Sequence, residues 1–553
     1  MEHPCEPSAA IRAFGRYAPF TDVEALIAAS ARPLRKSMRV NTLKSSVPAF
    51  REWAAKQGWA IEPVPWCAEG FFIEREERQT ALGKDLFHLL GHTYMQEAAS
   101  MLPAELLDIQ PGHIVLDMAA APGSKTTQIG AKMAACHPEP VALRLRSERP
   151  KIHSSELSAI DPERSRGVEG QHATNVMVRQ AHHDTFAAER GVLIANDVQE
   201  KRLWTLKAAL HRCGVVNNIV TKKVGQWFGK QMTERFDRVL CDAPCTAQGT
   251  ARKDSDALLY SSAENAGKMA RLQKEMLEAA IHAAKVGGLV VYSTCTLTPE
   301  EDEGVIAHIL NKYCVQVIPL GSELITKAGL ERAIEDSHRV QRYMGVGPFP
   351  SLRLWPQAYD TEGFFCALLQ KTAPTRHGER LPAMRFQEEP LPRSRQKELL
   401  RTLEEEYGTS FLFPGEQLFQ RGPSERPSGR AGTQLILSTE ETSACHLPVQ
   451  DYALGMPFGR RLEDAYQRQG SGGQRRVRID HDIATLRGHL ATRNVMEVTE
   501  EMVATLLDGK DISCSPALRG DILLRFQGKT VGFGLAKEGV LKNRLPRWVI
   551  QKS

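Results

Sequence analysis

Two cysteines follow apolar segments of the chain, which makes them candidates for covalent chemistry. Cys295 lies in VVYSTCTLTPEED and Cys245 lies in RVLCDAPCTAQG, each at a predicted strand end. A thiolate can form a covalent intermediate, and a second group beside the same substrate atom can assist its release. The alternative for either cysteine alone is a buried structural thiol. Their shared position at two strand ends favours chemistry. Cys241 should point to the opposite side of its strand, into the core.

Alternating strand-like and helix-like segments predict how these cysteines are positioned. From residue 96 onward, apolar strands such as HIVLD, GVLIAND, FDRVLCD and LVVYSTC alternate with helical stretches such as VQEKRLWTLKAALHRCG and KMARLQKEMLEAAIHAAKVGG. This order is typical of a parallel sheet with helices on both faces, an α/β fold of the Rossmann-like kind. Ligands of such sheets bind at the carboxyl ends of the strands.

A turn of small residues follows the first of these strands, in DMAAAPGSKTTQ. Its missing side-chain bulk predicts that a ligand lies against backbone N–H groups at a helix N-terminus, with Gly123 leaving space for it. The alternative is close packing of the strand against a helix. The P-loop pattern GxxxxGK[ST] is absent. The predicted ligand-binding residues are Ala119, Ala120, Ala121, Pro122, Gly123, Ser124 and Lys125.

Length and composition indicate a globular protein of several domains. The chain has 553 residues, of which 42% are hydrophobic and 25% charged, and a formal net charge of +5. This composition excludes a coiled coil and a wholly disordered chain, and the charge is compatible with a nucleic-acid partner. We divide the chain into an N-terminal region with a small α+β unit (1–95), an α/β domain (96–371) and a C-terminal region (372–553).

The sequence also bears on location and metal content. The start of the chain has no apolar leader, and no run approaches the roughly eighteen apolar residues of a membrane span, so we expect a cytoplasmic protein without membrane contact. Eleven cysteines without CxxC spacing argue against a disulfide framework and a zinc site, so no metal is predicted.

Residues 136–190 are polar and lack a clear period, which predicts an insertion outside the α/β fold. Dinucleotide-binding folds place an acidic residue about 20 positions after the glycine turn, where it binds a ribose. Without the segment 136–190, Asp197 would follow Gly123 at about that spacing. Asp197 is therefore the predicted ribose ligand.

Four motifs together carry a family resemblance. AAAPGSKTTQ, CDAPCTAQG, YSTCTLTPEED and DTEGFFCALLQK, in this order, resemble the Nol/Nop/Sun family of RNA cytosine-C5 methyltransferases. RPLRKSMRVNTLK, PVPWCAEGFFIE and the final GFGLAKEGVLKNRLPRW are most similar to the bacterial RsmF/YebU-type enzymes, which modify small-subunit ribosomal RNA. The resemblance implies a Rossmann-like S-adenosylmethionine-dependent methyltransferase domain, an α+β N-terminal RNA-binding unit and a C-terminal PUA-like β-rich domain.

The resemblance also implies roles for single residues. Cys295 would add to carbon 6 of cytosine, and Cys245 would assist release of the product. Asp242 would hydrogen-bond ring nitrogen N3 if its carboxyl is at least partly protonated, and Lys125 would orient Asp242 or the cofactor carboxylate.

The implied cofactor is S-adenosyl-L-methionine. Its contacts would include Asp117, Asp197, Arg202 and Asp242, although Arg202 could instead be a solvated charge on its helix. Family members usually carry an aspartate near the adenine where this chain has Val224, and Gln226 or backbone groups would have to substitute for it.

The implied partner is RNA, either ribosomal RNA or the small ribosomal subunit, with the chain acting as a monomer and without DNA. Contacts are expected from Arg35, Lys36, Arg39 and Asn41, for which a solvated basic face is the alternative. The basic segment 529–552 would belong to the PUA-like module, with Lys529, Lys537, Lys542, Arg544, Arg547 and Lys552. Two other functions stay open: a methyltransferase acting on protein or DNA, and a catalytically idle RNA-binding protein.

Overall fold

The structure is a computed structural model. It describes residues 7–76, 81–135, 191–259, 262–376, 386–421, 432–445, 447–448, 451–462 and 477–550. The predicted insertion, 136–190, lies outside these residues. In the part of the chain that is described, no helix combines the length and apolarity needed to cross a membrane.

Among the described residues, four α-helices and a four-stranded antiparallel sheet form the N-terminal region. In chain order the elements are α1 (Pro7–Phe14), α2 (Val23–Ser30), β1 (Lys36–Val40), α3 (Val47–Lys56), β2 (Ala60–Val64), β3 (Cys67–Glu74), α4 (Leu86–Leu89) and β4 (Thr93–Met95). The sheet has the order β2-β3-β1-β4. The Ser46 side chain accepts a hydrogen bond from the Ala49 N–H and so caps α3. The sequence predicted this α+β unit at about 32–95.

The central domain contains the alternating elements. They are α5 (Ala98–Leu106), β5 (Ile114–Asp117), α6 (Ser124–Ala135), β6 (Val192–Asn196), α7 (Glu200–Cys213), β7 (Asn218–Thr221), α8 (Gly225–Gln231), β8 (Phe236–Asp242), α9 (Ala263–Ala283), β9 (Ala284–Thr294), α10 (Glu303–Lys312), β10 (Val315–Val317), α11 (Ser322–Ala328), α12 (Glu331–Met344), β11 (Leu352–Leu354), α13 (Pro356–Tyr359) and β12 (Phe364–Lys371).

The central sheet has nine strands, with the order β10-β12-β9-β8-β5-β6-β7 over its main part. Strands β5 to β9 pair in parallel, and β10, β11 and β12 add antiparallel strands at one side. The strand order reverses between β5 and β8. Because ligands of open α/β sheets bind beyond the carboxyl ends of the strands at such a reversal, this edge is where a site is expected. The predicted Rossmann-like fold is confirmed.

The C-terminal region contains two five-stranded sheets. Its elements are β13 (Glu389–Pro390), α14 (Arg393–Tyr407), β14 (Glu416–Arg421), β15 (Gly432–Thr439), α15 (Glu440–Ala444), β16 (Ala453–Leu454), β17 (Met456–Leu462), β18 (Val477–Ile479), α16 (His481–Arg487), β19 (Val495–Glu497), α17 (Glu500–Leu507), β20 (Ile512–Ser513), β21 (Gly520–Phe526), β22 (Lys529–Lys537) and β23 (Val540–Asn543). One sheet has the order β13-β14-β15-β17-β18, and the other β19-β21-β22-β23-β20.

Contacts between distant parts of the chain join these regions. β16 pairs antiparallel with β7 and so adds a strand from the C-terminal region to the central sheet. The last sheet shares an apolar core with the N-terminal unit, in which Phe50 and Trp53 belong to the same cluster as Ile522 and Leu524. The helices α1 and α2 pack instead on the central domain.

Candidate active site

The two predicted thiols lie side by side at the carboxyl edge of the central sheet. β8 ends at Asp242 and β9 ends at Thr294, and the two strands are parallel neighbours. Cys245 and Cys295 follow these strand ends with their sulfur atoms 3.3 Å apart. Both are free thiols and half-buried. The pair can therefore contact the same small group.

The surroundings of Cys245 favour its protonated form. The hydrogen bond to Cys295 and burial raise the pKa of Cys245 well above its ordinary value, and the negative charges of Cys295 and Glu301 raise it further. Two thiols in contact cannot both ionise readily, because like charges repel. In this pair either sulfur can be the hydrogen-bond donor, so the contact by itself does not assign the proton. Cys241 is fully buried, which confirms the prediction that it packs in the core.

An ion pair lies beside the thiols. Lys125, in the first turn of α6, donates from Nζ to Asp242 Oδ2 at 2.7 Å. Burial works to lower the pKa of Lys125, but the charge and hydrogen bond of Asp242 outweigh it, so the pKa is raised. Ser293 donates to the other oxygen, Asp242 Oδ1, at 2.6 Å. The carboxylate is therefore held from both sides.

We call residues 243–249 and 295–301 the cysteine loops, and buried side chains hold them together. Glu301 accepts hydrogen bonds from the Thr246 N–H at 2.9 Å and from the Thr246 hydroxyl at 2.5 Å. The hydroxyls of Thr246 and Thr296 are also hydrogen-bonded, at 2.9 Å. The Gly249 N–H donates to the carbonyl of Cys295 at 3.0 Å. These bonds tie each loop to the other.

A buried arginine anchors the end of the second cysteine loop. Arg353 is fully buried and donates to Asp302 at 2.9 Å, to both oxygens of Glu303 and to the carbonyl of Leu297. The two carboxylates raise the pKa of Arg353 against the lowering effect of burial. These carboxylates and the carbonyl compensate the charge and the hydrogen-bond donors of the buried guanidinium.

At Gly123 the small-residue turn (119–124) lies directly against a neighbouring helix. A Cβ added to Gly123 would meet the Cβ of Ala209 at 3.0 Å, on helix α7. Close packing of the turn against a helix is therefore one reason for the glycine, and the prediction that Gly123 leaves space for a ligand stays a prediction. Ala120 and Ala121 are likewise buried in the core. Ala119 is half-buried, Pro122 is exposed and Ser124 begins α6.

Two buried aspartates border the turn and have oxygens available for a ligand. Asp117 Oδ1 and Asp197 Oδ2 are buried without a hydrogen-bond partner among the described residues. Arg202 Nη1 lies 3.3 Å from Asp197 Oδ2, and Arg202 also donates to the carbonyl of Ala121. Burial raises the pKa of Asp117 to about 7. Buried polar oxygens of this kind normally have partners, so the arrangement fits a polar ligand lying across the turn.

The loop after β7 lacks an acidic side chain at the predicted adenine position. Val224 is 57% exposed and precedes α8 without a side-chain cap. Gln226, a predicted substitute, donates to Glu275 at 3.1 Å. Asn196 holds this loop by donating to the carbonyls of Met118 and Lys223.

The predicted RNA contacts of the N-terminal unit are only partly on the surface. Arg39 is 2% exposed and donates to Gln96 and Thr127, and Asn41 is fully buried and donates to two carbonyls. Both the RNA-contact prediction and the solvated-face alternative are therefore wrong for these two residues. Lys36 is exposed, and Arg35 lies over the Phe72 ring and pairs with Glu62.

The C-terminal cations mostly face solvent. The exposed cations on or after β22 are Lys537, Lys542, Arg544 and Arg547, whereas Lys529 is half-buried. Trp548 is exposed beside Arg547. Lys542 pairs with Asp511 at 2.7 Å. Lys552 lies outside the described residues.

One group of described residues has metal-ligand atoms close together, namely Cys67, Glu69 and Glu105. Lys132 already donates to Glu105 at 2.7 Å, and Gln128 donates to it at 2.9 Å. The group lies apart from the thiol pair and nothing here indicates that it binds a metal.

Sequence reasoning missed several residues of the site. Ser293 could have been found, because alternate residues of a strand face the same side and Ser293 precedes Cys295 by two. Thr246 lies next to Cys245 but has no motif of its own. Glu301 and Arg353 act through contacts between distant segments, which a single sequence does not display.

Family profiles match three parts of the chain. They are described as the N-terminal domain of 16S rRNA methyltransferase RsmF (residues 13–98), 16S rRNA methyltransferase RsmB/F (residues 179–370) and methyltransferase RsmF PUA domain (residues 493–551). The predicted PUA-like module is thereby confirmed.

Similar proteins cover almost the whole chain. Ribosomal RNA small subunit methyltransferase F of Psychromonas ingrahamii is 32% identical, over 96% of this chain and 94% of that protein. The protein of the same name from Aeromonas hydrophila is 31% identical over the same shares. A crystal structure of a methyltransferase homolog from Pyrococcus horikoshii is 29% identical, covers 66% of this chain and 93% of that one, and has a TM-score of 0.45. The chain belongs to the RsmB/F family of 16S rRNA methyltransferases.

Proposed function

We propose that this methyltransferase transfers a methyl group from S-adenosyl-L-methionine to carbon 5 of a cytosine in small-subunit ribosomal RNA, through a covalent adduct between Cys295 and carbon 6. One observation carries the proposal. Two free thiols lie 3.3 Å apart beside the Lys125–Asp242 ion pair, at the carboxyl edge of the sheet. The names of the relatives, which refer to the small subunit, support the class of substrate.

The chemistry gives each thiol a task. Carbon 5 of cytosine is a poor nucleophile, so the Cys295 thiolate first adds to carbon 6, forming an S–C bond and moving the ring electrons toward carbon 5. The bound cofactor supplies an electrophilic methyl group. Once carbon 5 carries the methyl group, a water molecule takes the proton from carbon 5, the C–H electrons re-form the C5–C6 double bond, and the S–C bond breaks to return the thiolate. Cys245 is close enough to Cys295 to assist this release.

Asp242 is the residue best placed to bind the cytosine ring. Both of its oxygens accept hydrogen bonds, from Lys125 and Ser293. If the carboxyl carries a proton, that proton can pass to ring nitrogen N3 as the thiolate adds to carbon 6, and the carboxylate then accepts a hydrogen bond from the N3–H group. Such a contact stabilises the adduct more than the free base, which is the condition for catalysis.

The cofactor would lie across the small-residue turn. Asp117 would bind its amino group, since its Oδ1 is buried without a hydrogen-bond partner among the described residues. Asp197 would bind its ribose, with its buried Oδ2 ion-paired to Arg202 at 3.3 Å. Arg202 supports the turn by donating to the Ala121 carbonyl. The backbone at the start of α6 offers N–H groups to an anionic group of the cofactor.

RNA would be bound mainly by the terminal regions. Of the divisions proposed above, 1–95 and 372–553 lie outside the methyltransferase domain at 96–371, and their RsmF-type N-terminal and PUA modules share an apolar core. The exposed cations after β22, together with Trp548, can contact phosphates and an unstacked base. A monomer suffices for this arrangement.

Two cysteine variants test the mechanism. Cys295→Ala should give no methylation and no covalent RNA complex. Cys245→Ala should accumulate a protein–RNA adduct that survives denaturing electrophoresis, because addition proceeds while release is blocked. If Cys295→Ala traps RNA and Cys245→Ala does not, the roles are reversed; if neither does, the pair is structural.

Bisulfite sequencing of ribosomal RNA with and without the gene identifies the modified cytosine.

A further inference from the structure

The distance between the two thiols does not decide which one becomes the nucleophile. Cys245 and Cys295 are the same kind of group, and each is the other's neighbour at 3.3 Å. Any difference in their reactivity must come from their surroundings. The charged groups around the two sulfurs are distributed unevenly.

A carboxylate lies on the Cys245 side. Glu301 is fully buried, and both of its oxygens accept hydrogen bonds from Thr246, the residue next to Cys245. Gln273 donates to Oε2 as well, at 2.9 Å. All of these partners are donors, which suits the ionised carboxylate, an acceptor-only group. Burial outweighs the lowering effect of these hydrogen bonds, so the pKa of Glu301 is raised above its ordinary value.

An ammonium group lies on the Cys295 side. Lys125 is bound to Asp242, and the negative charge of Cys295 contributes, after burial and Asp242, to the shift of the Lys125 pKa. Ser293, which orients Asp242, lies at the end of β9 and precedes Cys295 by two residues. Among the other carboxylates near these loops, Asp302 and Glu303 are paired with buried Arg353, and Glu300 pairs with Arg16. Buried Glu362 lies on the Lys125 side, where the positive charge of Lys125 lowers its pKa against the larger, raising effect of burial. A cation near one sulfur and an anion near the other favour negative charge on the first.

We propose that Glu301 is a positioning residue that assigns the two thiols their roles. It holds the Cys245 loop through Thr246, and its negative charge keeps the thiolate on Cys295. The inference rests on the proposed function of the two cysteines, and it adds the reason for their division of labour.

If Glu301 only braced the loop, removing its charge while keeping its hydrogen bonds would leave the reactivity of the two thiols unchanged. Glu301→Gln keeps an oxygen that accepts from the Thr246 and Gln273 N–H groups, and its amide can donate to the Thr246 hydroxyl, which is free to rotate. Glu300, the preceding residue, is half-buried and pairs with Arg16, so Glu300→Gln is the matched control.

The test is alkylation of the full-length protein by iodoacetamide over a range of pH, with mass spectrometry to measure the rate at each cysteine separately. In the unaltered chain Cys295 should react at least about tenfold faster than Cys245 near pH 8, a ratio equivalent to one pKa unit. Glu301→Gln should raise the Cys245 rate about tenfold and shift its pH profile to lower pH. Glu300→Gln should change neither rate.

A second variant keeps the test decisive if Glu301→Gln does not fold. Lys125→Met removes the cation, so it should slow alkylation of Cys295 relative to Cys245. Equal reactivity of the thiols in the unaltered chain, or a ratio unchanged in a folded Glu301→Gln or Lys125→Met variant, would overturn the proposal. The alkylation rates are measured without RNA, whereas the proposed function is tested by adduct formation in Cys245→Ala. Failure of this inference can therefore be told apart from failure of the proposed function.

Discussion

The small-residue turn and the cysteine loops lie at the same edge of the central sheet, but different contacts hold them. The turn is shaped by missing side chains, since Gly123 packs directly against Ala209 of α7. The cysteine loops are shaped by side-chain hydrogen bonds, above all those between Glu301 and Thr246. A binding surface can therefore be built from backbone alone, whereas two reactive groups need side chains to fix their separation.

Gly249→Ala should lower the free energy of unfolding most. At this position the cysteine loops, like the turn, have no room for a side chain. The added Cβ would lie 2.1 Å from the Gly363 carbonyl oxygen and 2.7 Å from that of Cys295. Neither backbone atom can move without displacing a strand end. We expect a loss of about 5 kcal/mol in the free energy of unfolding, measured in urea, and loss of methylation.

The matched control is Gly267→Ala in α9, where a Cβ meets nothing within 4 Å. It should stabilise the protein by about 0.5–1 kcal/mol, since alanine is the better helix former. A Gly249→Ala variant with unchanged stability would mean that the cysteine loops tolerate displacement.

Asp117→Asn tests the polar side of the turn through pH. Burial raises the pKa of Asp117 to about 7 from its ordinary value of 3.8, so the folded protein binds more protons than the unfolded chain between these values. The contribution of Asp117 to stability is therefore fully present below pH 3.8 and is lost as the pH rises toward 7. The full change is about 4 kcal/mol.

The measurement for Asp117 is the free energy of unfolding of both proteins from pH 4 to pH 8. The difference between the unaltered chain and Asp117→Asn should fall steadily over this range, because asparagine does not titrate. Parallel curves for the two proteins would show that Asp117 is ionised like an exposed aspartate.

Among the destabilising substitutions Gly123→Ala should have the smallest effect, about 2 kcal/mol in urea. The residue has φ of +109°, which alanine rarely adopts, and its Cβ would press on Ala209 at 3.0 Å. Gly287→Ala separates the two causes, because Gly287 also has positive φ but open space around it. If both variants lose equal stability, packing against α7 contributes nothing.

Gly123→Ala should also weaken cofactor binding only slightly, as measured by calorimetry with S-adenosylhomocysteine. The added methyl group points to α7 and not into the space above the turn. A complete loss of binding would show that the turn shifts as a whole.

The sequence was sufficient for the parts of the site that depend on local patterns. An apolar run that ends in polar residues marks a strand end, so the positions of Cys245 and Cys295 and the parallel sheet could be predicted. Arg39 could not, because its charge indicates the surface, whereas its burial depends on Gln96 and Thr127 from other segments. The bond between Glu301 and Thr246 was invisible for the same reason.

Very short strands were missed because they contain too few residues to show a hydrophobic periodicity. β16 has two residues and no alternation that could predict a strand, and nothing local indicates that it joins β7 of the central domain. The sequence therefore gave no reason to connect the C-terminal region with the central sheet.

That connection has a consequence for solubility. An open edge strand presents unpaired N–H and C=O groups with which a strand of another chain can pair. Natural proteins limit this pairing with short edge strands or with a segment that covers the edge. β16 occupies the outer side of β7, and at two residues it is too short to serve as a template itself. A chain cut after the methyltransferase domain would uncover β7 and tend to aggregate. The C-terminal region thus protects its neighbour from self-association.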